Sequence, residues 1–185
     1  GSEMCIRDSG QAVDKDIINY SSMILDKCIT LPDGTSWPSN FEGDYGSGGY
    51  IPAWYAVQQS KNTTAVRMAQ VLGIDTCFNF LTDKLNVTTL DYTYDKAYSP
   101  IALGQLTQGM TLMELAGAYQ IFGSGGVYYE PKLYNLITDY NDKTVIEQEP
   151  LGDRVMESDS AYITNRLLKA VTDTTNGSGR YAKID

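Results

Sequence analysis

Apolar residues recur every three or four positions in several stretches of the chain, the spacing that places them on one face of an α-helix. This pattern predicts helices over about 52–59, 65–72, 75–85, 111–123 and 158–173. Gly73 is expected to end the second of these helices, because glycine readily adopts the left-handed conformation of a C-terminal cap. Thr111 and Glu114 match a capping box at the start of the fourth. Ser158 is expected to cap the last helix.

The same periodicity predicts which side chains face the core. The helix over 75–85 is expected to bury Cys77, Phe78 and Leu81. The helix that starts at Thr111 is expected to bury a stripe formed by Leu112, Leu115, Ala116, Tyr119 and Phe122. In the last helix, the residues expected to alternate between buried and solvated faces are Tyr162, Ile163, Arg166, Leu167 and Ala170.

Alternation of apolar and polar residues predicts β-structure in two regions. Residues 127–130 are expected to form a strand, and residues 132–140 and 143–149 to form a β-hairpin around Asn141-Asp142. Tyr134, Leu136 and Ile137 of the hairpin are expected to cover a helix. Near the start of the chain, residues 12–29 are interpreted as the end of a helix followed by a short strand.

Two long segments without periodicity are predicted to be loops. Residues 31–49 are rich in Gly, Pro, Ser, Asn and Asp, and we expect Trp37 and Phe41 to order this loop. Residues 86–100 form the second loop. The chain lacks the D-x-D-x-D-G spacing that supplies oxygens to Ca²⁺. We therefore interpret four aspartates of the chain as solvated turn carboxylates: Asp91, Asp95, Asp139 and Asp142.

Composition and charge narrow the possible functions. The 185 residues include 14 Lys and Arg against 23 Asp and Glu, a formal net charge of -9 that repels nucleic acid. The sequence contains no histidine, so neither a zinc site of Cys and His ligands nor a Ser-His-Asp triad is expected. No cofactor or metal is expected. No apolar run approaches the roughly 20 residues that span a bilayer.

Residues 1–9 (GSEMCIRDS) show no periodic pattern and look like a translated cloning or adapter sequence. We therefore interpret residues 1–10 as a non-native leader and residues 11–185 as one partial domain.

Ser60-Lys61-Asn62 forms an S-x-N motif between two predicted helices. Taken alone, this tripeptide is better explained by helix capping. Its surroundings, AVQQSKNTTAVRMAQVLG, and the later stretch SPIALGQLTQGMTLMELAGAYQIFGSGGVYYEP resemble penicillin-binding proteins. The resemblance extends over about residues 14–185 and is greatest to the class A enzymes, which carry a glycosyltransferase domain. Class B transpeptidases remain the alternative.

The resemblance implies a chemistry that uses three motifs, S-x-x-K, S-x-N and K-T-G. It implies that Ser60 relays a proton between the lysine of the first motif and the departing amine, and that Asn62 holds the substrate peptide and that lysine in position. Lys61 occupies the variable middle position and is interpreted as a solvated cation. No serine is followed three residues later by lysine, and no Lys-Thr-Gly occurs. Both motifs are expected just beyond the ends of this chain, which alone is expected to be inactive.

The expected fold is therefore α+β: the helix-rich lobe of a transpeptidase-like fold with a protruding β-hairpin, most of its central antiparallel sheet missing. The implied function is serine acyl transfer from the D-Ala-D-Ala end of peptidoglycan stem peptides, with β-lactams as inhibitors. The implied location is the outer face of the bacterial cytoplasmic membrane, with an anchor outside this chain. Two alternatives stay open: a noncatalytic exported cell-wall binding module, and a serine carboxypeptidase or β-lactamase on the same fold.

Overall fold

The structure, a computed structural model, describes residues 10–182. Residues 1–9, most of the predicted leader, lie outside the described part. The helices are α1 (10–14), α2 (Ala53–Gln58), α3 (Asn62–Leu72), α4 (Ile74–Asn79), α5 (Tyr98–Leu103), α6 (Leu112–Gly123) and α7 (Ser158–Asp173). A π-helical turn, Phe80–Lys84, continues α4, and Arg180–Ala182 forms a 3₁₀ turn. The periodic segments form helices as predicted, and Gly73 is the C-terminal cap of α3, although α3 begins three residues before the predicted start. Helix α5 was not predicted, because it begins inside the segment over 86–100 that was expected to be a loop.

The strands are short and pair only in twos within residues 10–182. They are β1 (Met23–Leu25), β2 (Ile29–Thr30), β3 (Ser36–Trp37), β4 (Tyr50–Pro52), β5 (Val127–Tyr129), β6 (Leu136–Thr138), β7 (Thr144–Glu147) and β8 (Gly152–Arg154). The antiparallel pairs are β1 with β4, β2 with β3, β5 with β8 and β6 with β7. The fold is α+β and helix-rich, as predicted, without a large sheet among the described residues.

The helices enclose one hydrophobic core. In this core α3 packs against α4 and α5, while α7 packs against α2 and α6. Its largest fully buried apolar side chains are Leu85, Ile101, Ile121, Leu167 and Val66. Cys77, Phe78 and Leu81 are buried, as the sequence predicted. No described helix combines the length and the apolar content that crossing a bilayer requires.

The buried face of α6 differs from the predicted one. Its buried residues are Gly117, Ala118, Ile121 and Phe122, and the side chain of Leu112 is 81% exposed. Ala116 is exposed as well. The sequence LMELAGAYQIFG is apolar on most sides, so spacing alone does not select one face. The neighbours select it, because α7 and β5 pack against this helix.

Ser158 does not cap α7, contrary to the prediction. The N-cap residue is Glu157, and no side chain caps this end of the helix. The backbone amide of Glu157 donates instead to Asp14 Oδ1 at 2.7 Å. A contact with the N-terminal segment therefore holds the chain where α7 begins.

Asp95 is fully buried, so its interpretation as a solvated turn carboxylate was wrong. Its carboxylate accepts hydrogen bonds from the backbone amide of Asp91 and from the amide and hydroxyl of Thr107. Burial by itself raises the pKa of Asp95, but these bonds outweigh it and hold the pKa below its usual value. A charged side chain thus joins the loop before α5 to the segment that follows α5, a role that composition does not reveal.

The hairpin of β6 and β7 projects from the molecule. Every residue of both strands is exposed, so the prediction that this hairpin covers a helix was wrong. The turn lies at Asn141-Asp142 as predicted, with Asp142 at a φ of 60°. Tyr140, beside the turn, is 95% exposed. The strand β8 was not predicted, because its sequence Gly-Asp-Arg carries no apolar residue.

Candidate active site

The S-x-N motif forms the junction between α2 and α3. The backbone amide of Ser60 donates to the carbonyl of Val57 at 3.0 Å, and that of Lys61 donates to the carbonyl of Ala56 at 3.0 Å. These two bonds form a Schellman motif, in which the residue past the helix end takes the left-handed conformation. Ser60 is that residue, with a φ of 52°.

A left-handed backbone at serine is unusual, because the Cβ atom approaches the following carbonyl oxygen. Glycine is favoured at this position, and a side chain there costs roughly 1 kcal/mol. Strain of this kind persists where the surrounding structure fixes it, and it is concentrated at functional sites. Ser60 lies in the wall of a cleft.

Asn62 is the first residue of α3, and its side chain points back to the preceding loop. Its Nδ2 donates to the carbonyl oxygen of Ser39 at 2.9 Å. The N-cap residue of α3 is Lys61, and no side chain caps that helix N-terminus. The side chain of Asn62 therefore makes a tertiary contact and not a cap.

The cleft beside this junction has a volume of about 640 Å³. Ser60 and Asn62 line one side of it. Phe41 and Glu42 of the preceding loop line a second side, and residues 176–180, which follow α7, line the third. The sequence thus identified one wall of the cleft and missed the other two.

The wall after α7 is attached to the end of α2. The backbone amide of Ser178 donates to the carbonyl of Gln58 at 3.1 Å, and Gln59 Nε2 donates to the carbonyl of Asn176 at 2.7 Å. A Cβ atom at Gly177 would lie 2.1 Å from the carbonyl oxygen of Val171, so only glycine fits there. The two glutamines beside Ser60 thus determine where this wall lies.

A buried polar network fixes the loop on the other side. Asp26 is buried and accepts the hydroxyl of Thr63 at 2.6 Å and the backbone amide of Ser47 at 2.8 Å. The amide of Thr63 donates to Asn40 Oδ1 at 3.3 Å. These bonds join the loop over 38–49 to the first turn of α3. Their polar partners are far apart in sequence, so no local pattern indicated the network.

Lys61 is not the solvated cation that the sequence suggested. Its side chain is only 15% exposed, and Nζ lies 3.4 Å from Glu42 Oε2 and 3.6 Å from Asp44 Oδ2. Burial by itself lowers the pKa of Lys61, but the carboxylates of Asp44 and Glu42 outweigh it and raise the pKa above its usual value. Through these two ion pairs, Lys61 joins the loop over 38–49 to the S-x-N motif.

Of the two aromatic residues that were expected to order the loop over 31–49, only Trp37 does so. Trp37 pairs with Ile29 in the β2–β3 ladder and packs against the core. Phe41 does not pack inward, because it is 96% exposed. Within residues 10–182, no group of three or more Cys, Asp or Glu side chains could hold a metal ion.

Solved structures share this fold. Penicillin-binding protein 3 of Mycobacterium tuberculosis, complexed with aztreonam, superposes with a TM-score of 0.78 at 17% identity, covering all of this chain and 45% of that one. Penicillin-binding protein 1A of Haemophilus influenzae gives a TM-score of 0.76 at 21% identity, covering 98% of this chain and 31% of that one. The architecture is that of a penicillin-binding transpeptidase domain.

Sequence comparison shows the family directly. The model of the penicillin-binding protein transpeptidase domain matches residues 9–185, and the chain belongs to this family of cell-wall peptidoglycan synthesis proteins. Penicillin-binding protein 1A of Clostridium novyi is 33% identical over 137 residues, which are 74% of this chain and 15% of that protein. Penicillin-binding protein 1A/1B of Bacillus subtilis is 27% identical over 184 residues, covering 97% and 19%. These relatives are class A proteins, as the sequence suggested, and the chain spans less than a quarter of their length.

Proposed function

We propose that this chain is part of a peptidoglycan D,D-transpeptidase, in which Ser60 and Asn62 serve acyl transfer from D-Ala-D-Ala. The observation that carries the proposal is the strained Ser60, held at the wall of a cleft beside Asn62. Folding alone favours glycine at this position, so the hydroxyl is best explained by its chemistry.

In the proposed reaction, the serine of an S-x-x-K motif attacks the carbonyl carbon between the two D-Ala residues. The bond from carbon to nitrogen breaks, and the terminal D-Ala leaves as an amine that must gain a proton. Ser60 passes that proton from the motif lysine to the leaving nitrogen, because a hydroxyl both donates and accepts. An acceptor amine then takes the acyl group from the serine.

Asn62 is proposed to position the substrate peptide. The bond from Nδ2 to Ser39 fixes the orientation of the side chain. An amide has two N–H donors and a carbonyl acceptor, so this bond leaves capacity for a ligand. Holding reacting groups in place lowers the barrier without taking part in bond breaking.

The remaining parts of the proposal concern the whole protein. We place the complete protein at the outer face of the bacterial cytoplasmic membrane, anchored by sequence outside this chain and joined to a glycosyltransferase domain. Stem peptides and β-lactams are its proposed ligands. Residues 1–10 are proposed to be non-native and residues 11–185 to be a partial domain. A carboxypeptidase or β-lactamase would use water as the acceptor, and a noncatalytic module would lack the nucleophile.

The test uses a complete transpeptidase domain that carries this sequence. Ser60→Ala and Ser60→Gly should each lower the acylation rate constant with a labelled penicillin by on the order of 100-fold, the usual size of an acid–base contribution. Asn62→Ala should lower it by on the order of tenfold. Ser158→Ala, at an exposed serine that caps no helix, serves as the matched control. Unchanged acylation in Ser60→Gly and Asn62→Ala would refute the assignment of the site.

A further inference from the structure

A tight turn stands at the edge of the cleft. The amide of Gly43 donates to the carbonyl of Asn40 at 3.0 Å, and the amide of Asn40 donates to the carbonyl of Asp44 at 2.8 Å. Gly43 has a φ of 83°, which closes such a turn readily only with glycine. Phe41 and Glu42 are therefore the two residues at its tip, and both line the cleft.

Packing among the described residues does not explain the position of Phe41. A phenylalanine normally buries most of its ring, and burial of a side chain of this size stabilises a fold substantially. Phe41 leaves 96% of its surface exposed, while its loop is closely bound to the body of the molecule. Its ring is thus exposed to solvent, and it lines the same cleft as Ser60 and Asn62.

Three consecutive residues of the motif region hold this turn. Lys61 pairs with Glu42 and Asp44, Asn62 donates to the carbonyl of Ser39, and the amide of Thr63 donates to the side chain of Asn40. The position of the turn that carries Phe41 is therefore set by the residues that directly follow Ser60 in the chain.

We infer that Phe41 is a specificity-determining residue, whose ring packs against an apolar group of the ligand seated beside Ser60. Lys61 is a positioning residue that acts through it, by holding the turn that carries the ring. The inference rests on the proposed function, because it assumes that the acyl donor occupies this cleft. The ligand class is an acyl compound or peptide with an apolar side group next to the reacting carbonyl.

The test compares two penicillins in a complete domain that carries this sequence. Benzylpenicillin has an apolar phenylacetyl group, and 6-aminopenicillanic acid has none. Phe41→Ala should lower the acylation efficiency of benzylpenicillin on the order of tenfold, mainly through weaker initial binding, since a buried aromatic contact is worth about that much. The efficiency with 6-aminopenicillanic acid should change less than twofold.

Tyr140→Ala is the matched control, because Tyr140 is 95% exposed and lies at the tip of the distant hairpin. It should leave both efficiencies unchanged. Equal losses with the two penicillins, or a Phe41→Ala variant that behaves like Tyr140→Ala, would overturn the role of Phe41. The melting temperature of Phe41→Ala should equal that of the parent.

The role of Lys61 is tested by a double-mutant cycle. Lys61→Ala should lower the benzylpenicillin efficiency, and it should have little further effect in a Phe41→Ala background because both changes act through the same ring. Lys61→Arg should retain most of the benzylpenicillin efficiency of the parent, since arginine keeps the positive charge. Additive losses would overturn the positioning role.

Ser60→Gly in the same assays separates the two proposals. If Ser60→Gly loses acylation with both penicillins while Phe41→Ala loses neither, only the specificity role fails. If Ser60→Gly acylates normally, the proposed function itself fails.

Discussion

At the scale of single residues, Ser60 combines an unfavourable backbone conformation with a position in the wall of the cleft. Its φ of 52° completes the Schellman motif at the end of α2, so the backbone conformation is required by the helix ending. The two properties can be separated by substitution, because glycine relieves the backbone strain and alanine does not.

We predict that Ser60→Gly raises the free energy of unfolding by ~0.5–1 kcal/mol, while Ser60→Ala changes it by less than ~0.5 kcal/mol. Both variants lack the hydroxyl, so any difference between them reports the backbone. Urea denaturation of a complete domain carrying each change provides the measurement. A Ser60→Gly variant that is less stable than Ser60→Ala would show that the left-handed conformation is not strained.

At the scale of elements, Glu114 forms hydrogen bonds that join the start of α6 to the loop that precedes α5. Its carboxylate accepts the backbone amides of Thr111 at 2.8 Å and Thr88 at 2.6 Å, and the Thr88 hydroxyl at 3.0 Å. Burial by itself raises the pKa of Glu114, but these bonds outweigh it and lower the pKa to about 2. The capping box that the sequence predicted is thus also a tertiary contact.

The lowered pKa predicts a pH dependence of stability. Since the folded pKa lies below the ordinary 4.5, the stabilisation is complete above about pH 5 and is lost as the pH falls towards 2. Glu114→Gln keeps the geometry of the capping box but does not titrate. We expect it to be less stable than the parent by ~2 kcal/mol at pH 6 and about equally stable near pH 2. A difference that is the same at both pH values would contradict this assignment.

The sequence predicted the secondary-structure elements better than it predicted which residues pack around them. The end of α3 at Gly73 and the capping box of α6 follow from local chemistry, because caps and periodic spacing involve residues close in sequence. The exposed Leu112, the buried Asp95 and the ion pairs of Lys61 were missed for one physical reason. Each depends on which distant segment packs against it, and a mostly apolar helix or a lone charge does not specify that neighbour.

The candidate site shows the same limit. Ser60 and Asn62 were found through the motif, but the cleft also needs Phe41 and the segment over 176–180. The turn at Asn40–Gly43 has a local signal in the sequence, because a glycine follows an asparagine by three residues. No comparable signal marked Gln58 and Gln59, whose bonds attach the third wall.

At the scale of the whole molecule, the chain holds one of the three motifs that the proposed chemistry uses. We predict that the 185-residue chain itself forms no covalent adduct with a fluorescent penicillin, because its sequence contains no S-x-x-K serine. Gel fluorescence after denaturation measures the adduct, with heat-inactivated protein as the control for nonspecific labelling. A labelled band that disappears on prior heating would contradict the prediction.

The exposed apolar hairpin and the exposed Leu112 bear on how the chain behaves in solution. Leu136, Ile137, Val145 and Ile146 are all exposed on the hairpin strands. Exposed apolar patches of this kind favour self-association. Light scattering of the 185-residue chain should therefore increase with concentration more steeply than that of a variant with Val145→Ser and Ile146→Ser.

The strained turn at Ser60 also has a consequence for variation over generations. By the predictions above, a mutation to glycine there is expected to improve folding and to impair the proposed acyl transfer. Selection for folded protein and selection for cell-wall growth therefore act on this position in opposite directions. In a population that no longer depends on the proposed acyl transfer, glycine is the replacement that we expect to accumulate at position 60.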